Sequence, residues 1–214
     1  MTLHVGRVLS INIARESQPQ TGSTSGSRTG INKSSVVGPV RLRDDGVVGD
    51  HVVDRVNHGG YNKAVYAYAR EDALWWEEKI GKDIAPGQFG ENITTLDLDL
   101  SGAVIGEQWR IGDLLLEVAE PRIPCKTFSG FWDRPTLIKE FTEANRSGAY
   151  LRIIEEGTIE KGMSIEIVYR PDHGITIADI FAARSGAREK IHEITGVTNL
   201  SAEYQDWAKR VSAS

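Results

Sequence analysis

The segment "EQWRIGDLLLEV", residues 107–118, constrains the fold more than any other stretch. Gly112-Asp113 is a two-residue turn. Trp109 and Ile111 face one way on its first side, as do Leu114, Leu116 and Val118 on its second. A tight turn between two such runs joins antiparallel neighbours as a hairpin. The same two-residue period recurs at 3–13, where Leu9, Ile11 and Ile13 alternate with Ser10 and Asn12, and further strands read at 36–42, 63–68, 149–154 and 163–169. Alternation marks strands with one buried face. Strands at short spacing joined by tight turns predict a mainly β fold closed into a β-barrel.

Helices interrupt this pattern. Residues 70–81, "REDALWWEEKIG", read as a helix stopped by Gly81. Residues 135–147 read as another, with Pro135 in the first turn, a stripe of Leu137, Ile138, Phe141 and Ala144, and Gly148 as its end. Past "RPDHG", 170–174, the period becomes helical. Thr176 and Asp179 form a capping pair, and Ala187, Ile191 and Ile194 make a second stripe closed by Gly196. Ser201 heads a third helix with Tyr204, Trp207, Ala208 and Val211 on one face. The chain thus divides into a barrel domain, 1–170, and a C-terminal three-helix domain, 171–214. Three helices this short bury too little surface to stand alone. They are expected to pack on the barrel or on another subunit, which leaves a homodimer open. Residues 15–30, rich in Ser, Gly and Thr without a large apolar side chain, read as a surface loop or as a mobile lid.

Composition narrows the functional classes. A chain of 214 residues holds one good core. A net charge of −5 gives no broad basic footprint, so bulk nucleic acid is not an expected partner. No apolar run approaches the roughly 20 residues that span a bilayer, and the first residues alternate rather than forming a signal peptide; a cytoplasmic protein is expected. The single cysteine excludes an intrachain disulfide. It also excludes an internal iron–sulfur cluster or zinc ribbon, each of which needs several cysteines.

Three stretches could carry chemistry. In "PRIPCKTF", 121–128, two prolines stiffen an arm leaving the strand. Arg122 and Lys126 stand close enough in sequence to lower the Cys125 thiol pKa. A thiolate on a rigid support is a soft metal ligand; the bland alternative is a small buried apolar residue. In "VNHGGYNKAVYAY", 56–68, paired glycines let backbone N–H groups approach a ligand. His58 and Lys63 flank them as anion binders or proton donors, or the stretch is an ordinary turn. In "PGQFGEN", 86–92, Asn92 can donate to and accept from a heterocycle edge, or merely satisfy a turn. No nucleophile elbow, phosphate-binding P-loop or HExxH zinc motif is present.

Taken in order, "TGINKSSVVGPVRL", "GVVGDHVVDRVNHGGYNKAVYAY", "PGQFGENIT" and "IGEQWRIGDLLLEVAEPRIPC" resemble the MOSC domain, named for the C-terminal domain of molybdenum cofactor sulfurases. The resemblance is to the stand-alone bacterial branch associated with hydroxylaminopurine resistance. It covers about residues 1–170, and the helical remainder resembles that branch's three-helix C-terminal domain. The resemblance implies a MOSC-type β-barrel that binds the molybdenum cofactor as molybdopterin, with Cys125 as the protein ligand to molybdenum. It implies that Lys33, Ser34 and Asn92 hold the pterin and its phosphate, that His58 and Lys63 belong to an HGG-x-x-K motif, and that Arg122 helps hold the anionic cofactor. The implied activity is two-electron reduction of a small N-hydroxylated compound, hydroxylaminopurine- or amidoxime-like, to the amine or amidine. His58, whose ordinary pKa lies near working pH, is the candidate acid. Electrons would come from a separate flavin or iron–sulfur reductase. Two alternatives stand beside this enzyme: a carrier passing on the cofactor or persulfide sulfur from Cys125, and a barrel without cofactor acting as an interaction module.

Overall fold

Half-apolar strands satisfy their backbone and bury one face at once by closing on themselves, and this chain does so. The structure is a computed structural model describing residues 3–20, 28–44, 46–54 and 58–213. The strands are β1 (Leu3–Ile13), β2 (Val65–Ala69), β3 (Ile93–Leu96), β4 (Gln108–Ile111), β5 (Leu114–Pro121), β6 (Ala149–Glu155) and β7 (Ser164–Tyr169). They hydrogen-bond in the order β7-β4-β5-β6-β2-β3-β1, and β1 pairs back with β7 to close a seven-stranded mixed barrel. The Gly112-Asp113 turn forms as expected, with Ile111 opposite Leu114. β1 reaches both neighbours by shifting register twice, at Leu3/Val5 against β7 and at Val8/Ser10 against β3. Such bulges bend a strand around a barrel.

The pair β2–β3 is parallel and is bridged by helix α1 (Arg70–Ile80), since parallel neighbours need a crossover. Gly81, at φ 73°, ends α1 by donating to the Glu77 carbonyl. Two short helices follow β5: α2 (Lys126–Phe131) and α3 (Leu137–Ala144). The sequence pattern predicts only a stiff arm where α2 forms. α3 ends at Asn145, in the left-handed region at φ 53°, rather than at Gly148. Gly148 instead opens the way into β6, where a Cβ would lie 2.5 Å from the Ala67 carbonyl oxygen. Of the expected strand 36–42 only the end forms: Val40–Arg43 joins a small side sheet with Gly46–Val47 and Gly157–Ile159, while the pairing with β1 is made just before it, by Ser34–Ser35.

The tail comprises α4 (Ile177–Arg184), α5 (Ile191–Thr195) and α6 (Ala202–Ser212). The capping pair is formed: Asp179 N–H donates to Thr176 Oγ1 at 3.2 Å and Thr176 N–H to Asp179 Oδ2 at 3.0 Å. Ala187 falls outside α5, which is a single turn around Ile191 and Ile194. The tail packs on the barrel. Ile177, Ile180, Tyr204 and Ala208 belong to the same apolar cluster as Trp109, Leu116 and Val118. Arg152 of β6 clamps the join, donating to Glu117 Oε1 at 2.6 Å, Asn62 Oδ1 at 2.8 Å and the Asn199 carbonyl at 2.7 Å. A second, aromatic cluster fills the space under α1, α2 and α3, with Tyr68, Trp76, Phe89, Phe128 and Phe141 at its centre. Each such ring contributes about 1.5–3 kcal/mol by leaving water. Among the described residues no helix is long and apolar enough to cross a membrane.

Candidate active site

The aromatic cluster fixes the cysteine. β5 ends at Pro121, and the chain continues through buried Arg122, exposed Ile123 and Pro124 to Cys125, whose extended backbone immediately precedes α2. Phe128 anchors α2 by packing at 5.1 Å from Phe141 and 5.6 Å from Phe89, ring centre to ring centre. Its backbone N–H reaches back to the Cys125 sulfur. His58 approaches from the other side: Nε2 lies 3.9 Å from Cys125 Sγ, and Nδ1 lies 3.3 Å from Tyr150 Oη. The Arg122 guanidinium lies 4.1 Å from the Phe128 ring centre, a cation–π distance. Burial pushes the Cys125 thiol up. The hydrogen bond from His58, the Arg122 charge and the Phe128 N–H outweigh it and bring the pKa down to about 6. Arg122 thus acts on the sulfur as the sequence predicts. Lys126 is exposed, and the second side chain acting on the sulfur is His58.

Another part of the wall is built around Asp50. Its carboxylate pairs with Lys33 Nζ and accepts from the Ala14 N–H at 2.7 Å and from Asn92 Nδ2 at 2.9 Å. Burial pushes the Lys33 pKa down, against the pull of Asp50. Asn92 is held by the frame: Nδ2 also donates to the Asn12 carbonyl at 3.3 Å, and Oδ1 accepts from the Tyr66 N–H at 3.2 Å. Glu91 turns inward and ties the "PGQFGEN" loop together. It accepts from Gly87 N–H at 2.6 Å, Phe89 N–H at 3.1 Å and Thr94 Oγ1 at 2.8 Å. Gly87 has φ 93°, and a Cβ there would sit 2.6 Å from the Lys33 carbonyl oxygen. A side chain at 87 would therefore push the loop off Lys33.

These walls enclose a cavity of about 500 Å³, lined by Cys125, His58, Lys63, Arg122, Lys33 and Asn92 together with Asp50, Tyr66 and Tyr150. Lys63 is steadied by buried Glu120, 3.4 Å from its Nζ. Six of the seven residues predicted from the sequence therefore meet at one site. Ser34 does not: it is exposed and off the cavity wall. It follows Lys33 in an extended segment, where successive side chains point to opposite faces. In the 15–30 stretch, residues 21–27 lie outside the described residues. Its described flanks pair as Gln18–Pro19 with Arg28–Thr29, and Arg28 and Thr29 line the cavity.

The donor set fits an anionic, metal-bearing organic cofactor. The volume lies in the range of small-molecule sites. Arg122 Nη1 is buried with no hydrogen-bond partner, a loss that an anionic ligand would repair. Among the described residues no group of three or more His, Cys, Asp or Glu could hold a metal ion. A metal bound at Cys125 would therefore bring most of its other ligands with it. Asp50, Tyr150 and Glu91 escape the sequence reading. Asp50 lies in the matching stretch "GVVGDHVV" with no chemical role legible from its neighbours, Tyr150 sits inside an apolar strand, and Glu91 looks like a loop-rim acid.

Comparison with known proteins places these features in context. A family profile described as the MOSC domain matches residues 54–166. The Bacillus subtilis (strain 168) protein YflK is 32% identical over 172 residues, covering 79% of this chain and 76% of that protein. A protein named "Reductase" from Gibberella moniliformis is 33% identical over 145 residues, covering 66% of this chain but only 26% of that longer protein. The crystal structure of YiiM from Geobacillus stearothermophilus superposes with a TM-score of 0.79 at 27% identity, covering 96% of this chain and 98% of that one.

Proposed function

The chain belongs to the MOSC domain family, and from that premise we propose that it binds the molybdenum cofactor as molybdopterin and reduces small N-hydroxylated compounds. One observation carries the reading. A cysteine with a pKa of about 6 shares a cavity with a buried arginine whose Nη1 has no partner. That pairing suits a soft metal at the sulfur and an anion beside it. The fungal relative's name supports the reductase class in general terms.

In this reading Cys125 is the protein ligand to molybdenum. Arg122, Lys63, Lys33 and Asn92 hold the anionic cofactor, the last two oriented by Asp50. When bound, the cofactor supplies the two-electron redox chemistry of the site. The protein's part is binding, orientation and the control of water and protons. Tyr66 and Phe89 add aromatic surface to the cavity lining. His58 would hold a proton beside the sulfur and give it to the departing hydroxyl oxygen of the substrate, which leaves as water; the nitrogen takes a second proton from solvent, and the two electrons come from the external reductase. Ser34, being exposed, has no contact assigned to it. Electrons come from a separate flavin or iron–sulfur reductase.

The test is metal and pterin analysis of the full chain made in a cofactor-producing host, with Cys125→Ser alongside. About one molybdenum per chain, with reduction of hydroxylaminopurine or a benzamidoxime by an artificial reductant, is the expected result. The variant should keep its fold and lose activity. Full activity in Cys125→Ser would overturn the ligand role. Exchangeable cofactor with no turnover would favour a carrier instead.

A further inference from the structure

The turn that carries Lys63 to the cavity is anchored through its side chains. Gly60, at φ 84°, bends the chain into a single 3-10 turn, Tyr61–Lys63, and the Lys63 N–H closes it by donating to the Gly60 carbonyl at 3.0 Å. One such turn fixes several dihedrals for one poorly aligned bond, so it does not persist by itself. Two buried groups of the barrel hold it. Glu120 Oε1 of β5 stands 3.4 Å from Lys63 Nζ. Arg152 Nε of β6 donates to Asn62 Oδ1 at 2.8 Å. The same guanidinium reaches two further segments: Nη1 donates to Glu117 Oε1 at 2.6 Å, and Nη2 to the Asn199 carbonyl at 2.7 Å. The loop around Asn199 is fixed in its turn. Gln205 Nε2 of α6 donates to the Thr198 carbonyl at 3.0 Å and to the Leu200 carbonyl at 2.9 Å.

We propose that Arg152 is a positioning residue: by tying Asn62 to Glu117 of the barrel and to the Asn199 carbonyl of the tail, it holds the Tyr61–Lys63 turn so that Lys63 stays on the cavity wall. Arginine suits the task. A guanidinium carries five N–H donors in a rigid planar fork, and here three of its nitrogens meet three separate segments. A lysine at 152 would keep the charge beside Glu117, but as a point donor on a flexible stem it cannot serve all three. Arg152 is buried with its partners in place and does not itself line the cavity. Asn62 does not line it either, but it adjoins Lys63, so the turn is the short route from Arg152 to the site. As an account of how the turn is held, the inference concerns this chain's own residues alone. As an account of ligand binding, it rests on the reading above that Lys63 holds the anionic cofactor.

The experiment uses the full chain with two variants, Asn62→Ala and Arg152→Lys. Without cofactor, amide hydrogen exchange at the Lys63 N–H reads the turn directly. Both variants should speed that exchange by about tenfold, while the amides of β2 keep their wild-type rates. An unchanged Lys63 rate in Asn62→Ala would overturn the proposal. So would equal acceleration throughout β2, which would mark a general loosening of the barrel. Asn62→Ala changes a half-buried side chain, so it decides the matter even if Arg152→Lys folds poorly. Binding of isolated molybdenum cofactor gives the second readout. Asn62→Ala should weaken it by about tenfold, and the same change in a Lys63→Met background should weaken it no further. Equal losses in the two backgrounds would show that Asn62 acts without Lys63, and the positioning role would fall. A wild-type chain that binds no cofactor would sink the reading proposed above, and the exchange rates would still decide how the turn is held.

Discussion

Asp50 bears more of the site than its neighbourhood in the sequence suggests. It balances the buried charge of Lys33, holds the Asn92 amide and anchors the Ala14 backbone. Asp50→Asn keeps an oxygen for the Ala14 N–H but leaves Lys33 buried without its counter-charge. Breaking a buried pair from one side costs about 3–5 kcal/mol. Urea denaturation should show a loss of that order for Asp50→Asn, and Lys33→Met/Asp50→Asn should recover most of it by removing the stranded cation. The double variant should still bind less cofactor than the wild type. A single variant as stable as the wild type would show that Lys33 finds another counter-charge. The contrast with Cys125 and His58 explains what the sequence made legible. Chemistry announces itself where the residue type is rare or the motif is tight, as with a lone cysteine or HGG-x-x-K. Asp50 works by accepting from Ala14, Lys33 and Asn92, donors distant in the chain, and no local pattern marks that; Glu91 accepts from near neighbours of its own loop, but only the fold shows that it turns inward. Asn92 lies in a readable motif, but its side chain is largely committed to the frame around it.

The elements that were legible are those whose signal is local. The Gly112-Asp113 hairpin, α1 with its Gly81 stop and the Thr176–Asp179 cap of α4 are each written within a few residues. α2 was not, because its six residues are helical largely through tertiary packing: Phe128 is fully buried among rings from α3 and the "PGQFGEN" loop. The cap allows a sharp test. Partial burial pushes Asp179 up, but the Thr176 N–H and the Lys190 and Thr176 side chains outweigh it and hold the carboxyl below its ordinary value of 3.8. A depressed carboxylate stabilises the fold above its unfolded pKa, and that stabilisation is lost as pH falls through the folded value. Asp179→Ala should therefore cost about 1 kcal/mol at pH 7, measured by urea denaturation. The gap to the wild type should narrow below about pH 3.8. A gap constant with pH would show that the cost is lost packing rather than the charge of the cap.

At the scale of the whole molecule, the switch from strand to helix period after residue 170 marks a change of element rather than a separate core. Ile177, Ile180, Ile191 and Ile194 join the barrel's own apolar cluster, and the backbone crosses the junction where the Ile177 N–H donates to the Ala103 carbonyl at 2.9 Å. The join also reaches the site. Glu120, which steadies Lys63, feels the Ser201 hydroxyl at the head of α6, and Arg152 spends one of its donors on the Asn199 carbonyl. Removing 171–214 would open apolar strand surface to water and leave the buried Glu120 and Arg152 short of partners, each a loss of about 1–3 kcal/mol. Set against a total stability of about 5–15 kcal/mol, that loss is large. The full chain should therefore unfold in one transition, with the indole NMR signal of Trp207 in the tail lost together with the far-UV circular dichroism of the barrel. A chain ending at residue 170 should lose its near-UV signal and bind no cofactor. If it instead kept both, with a melting temperature within a few degrees of the full chain, the tail would be an attachment to a self-sufficient barrel, and Lys63 would be held without it.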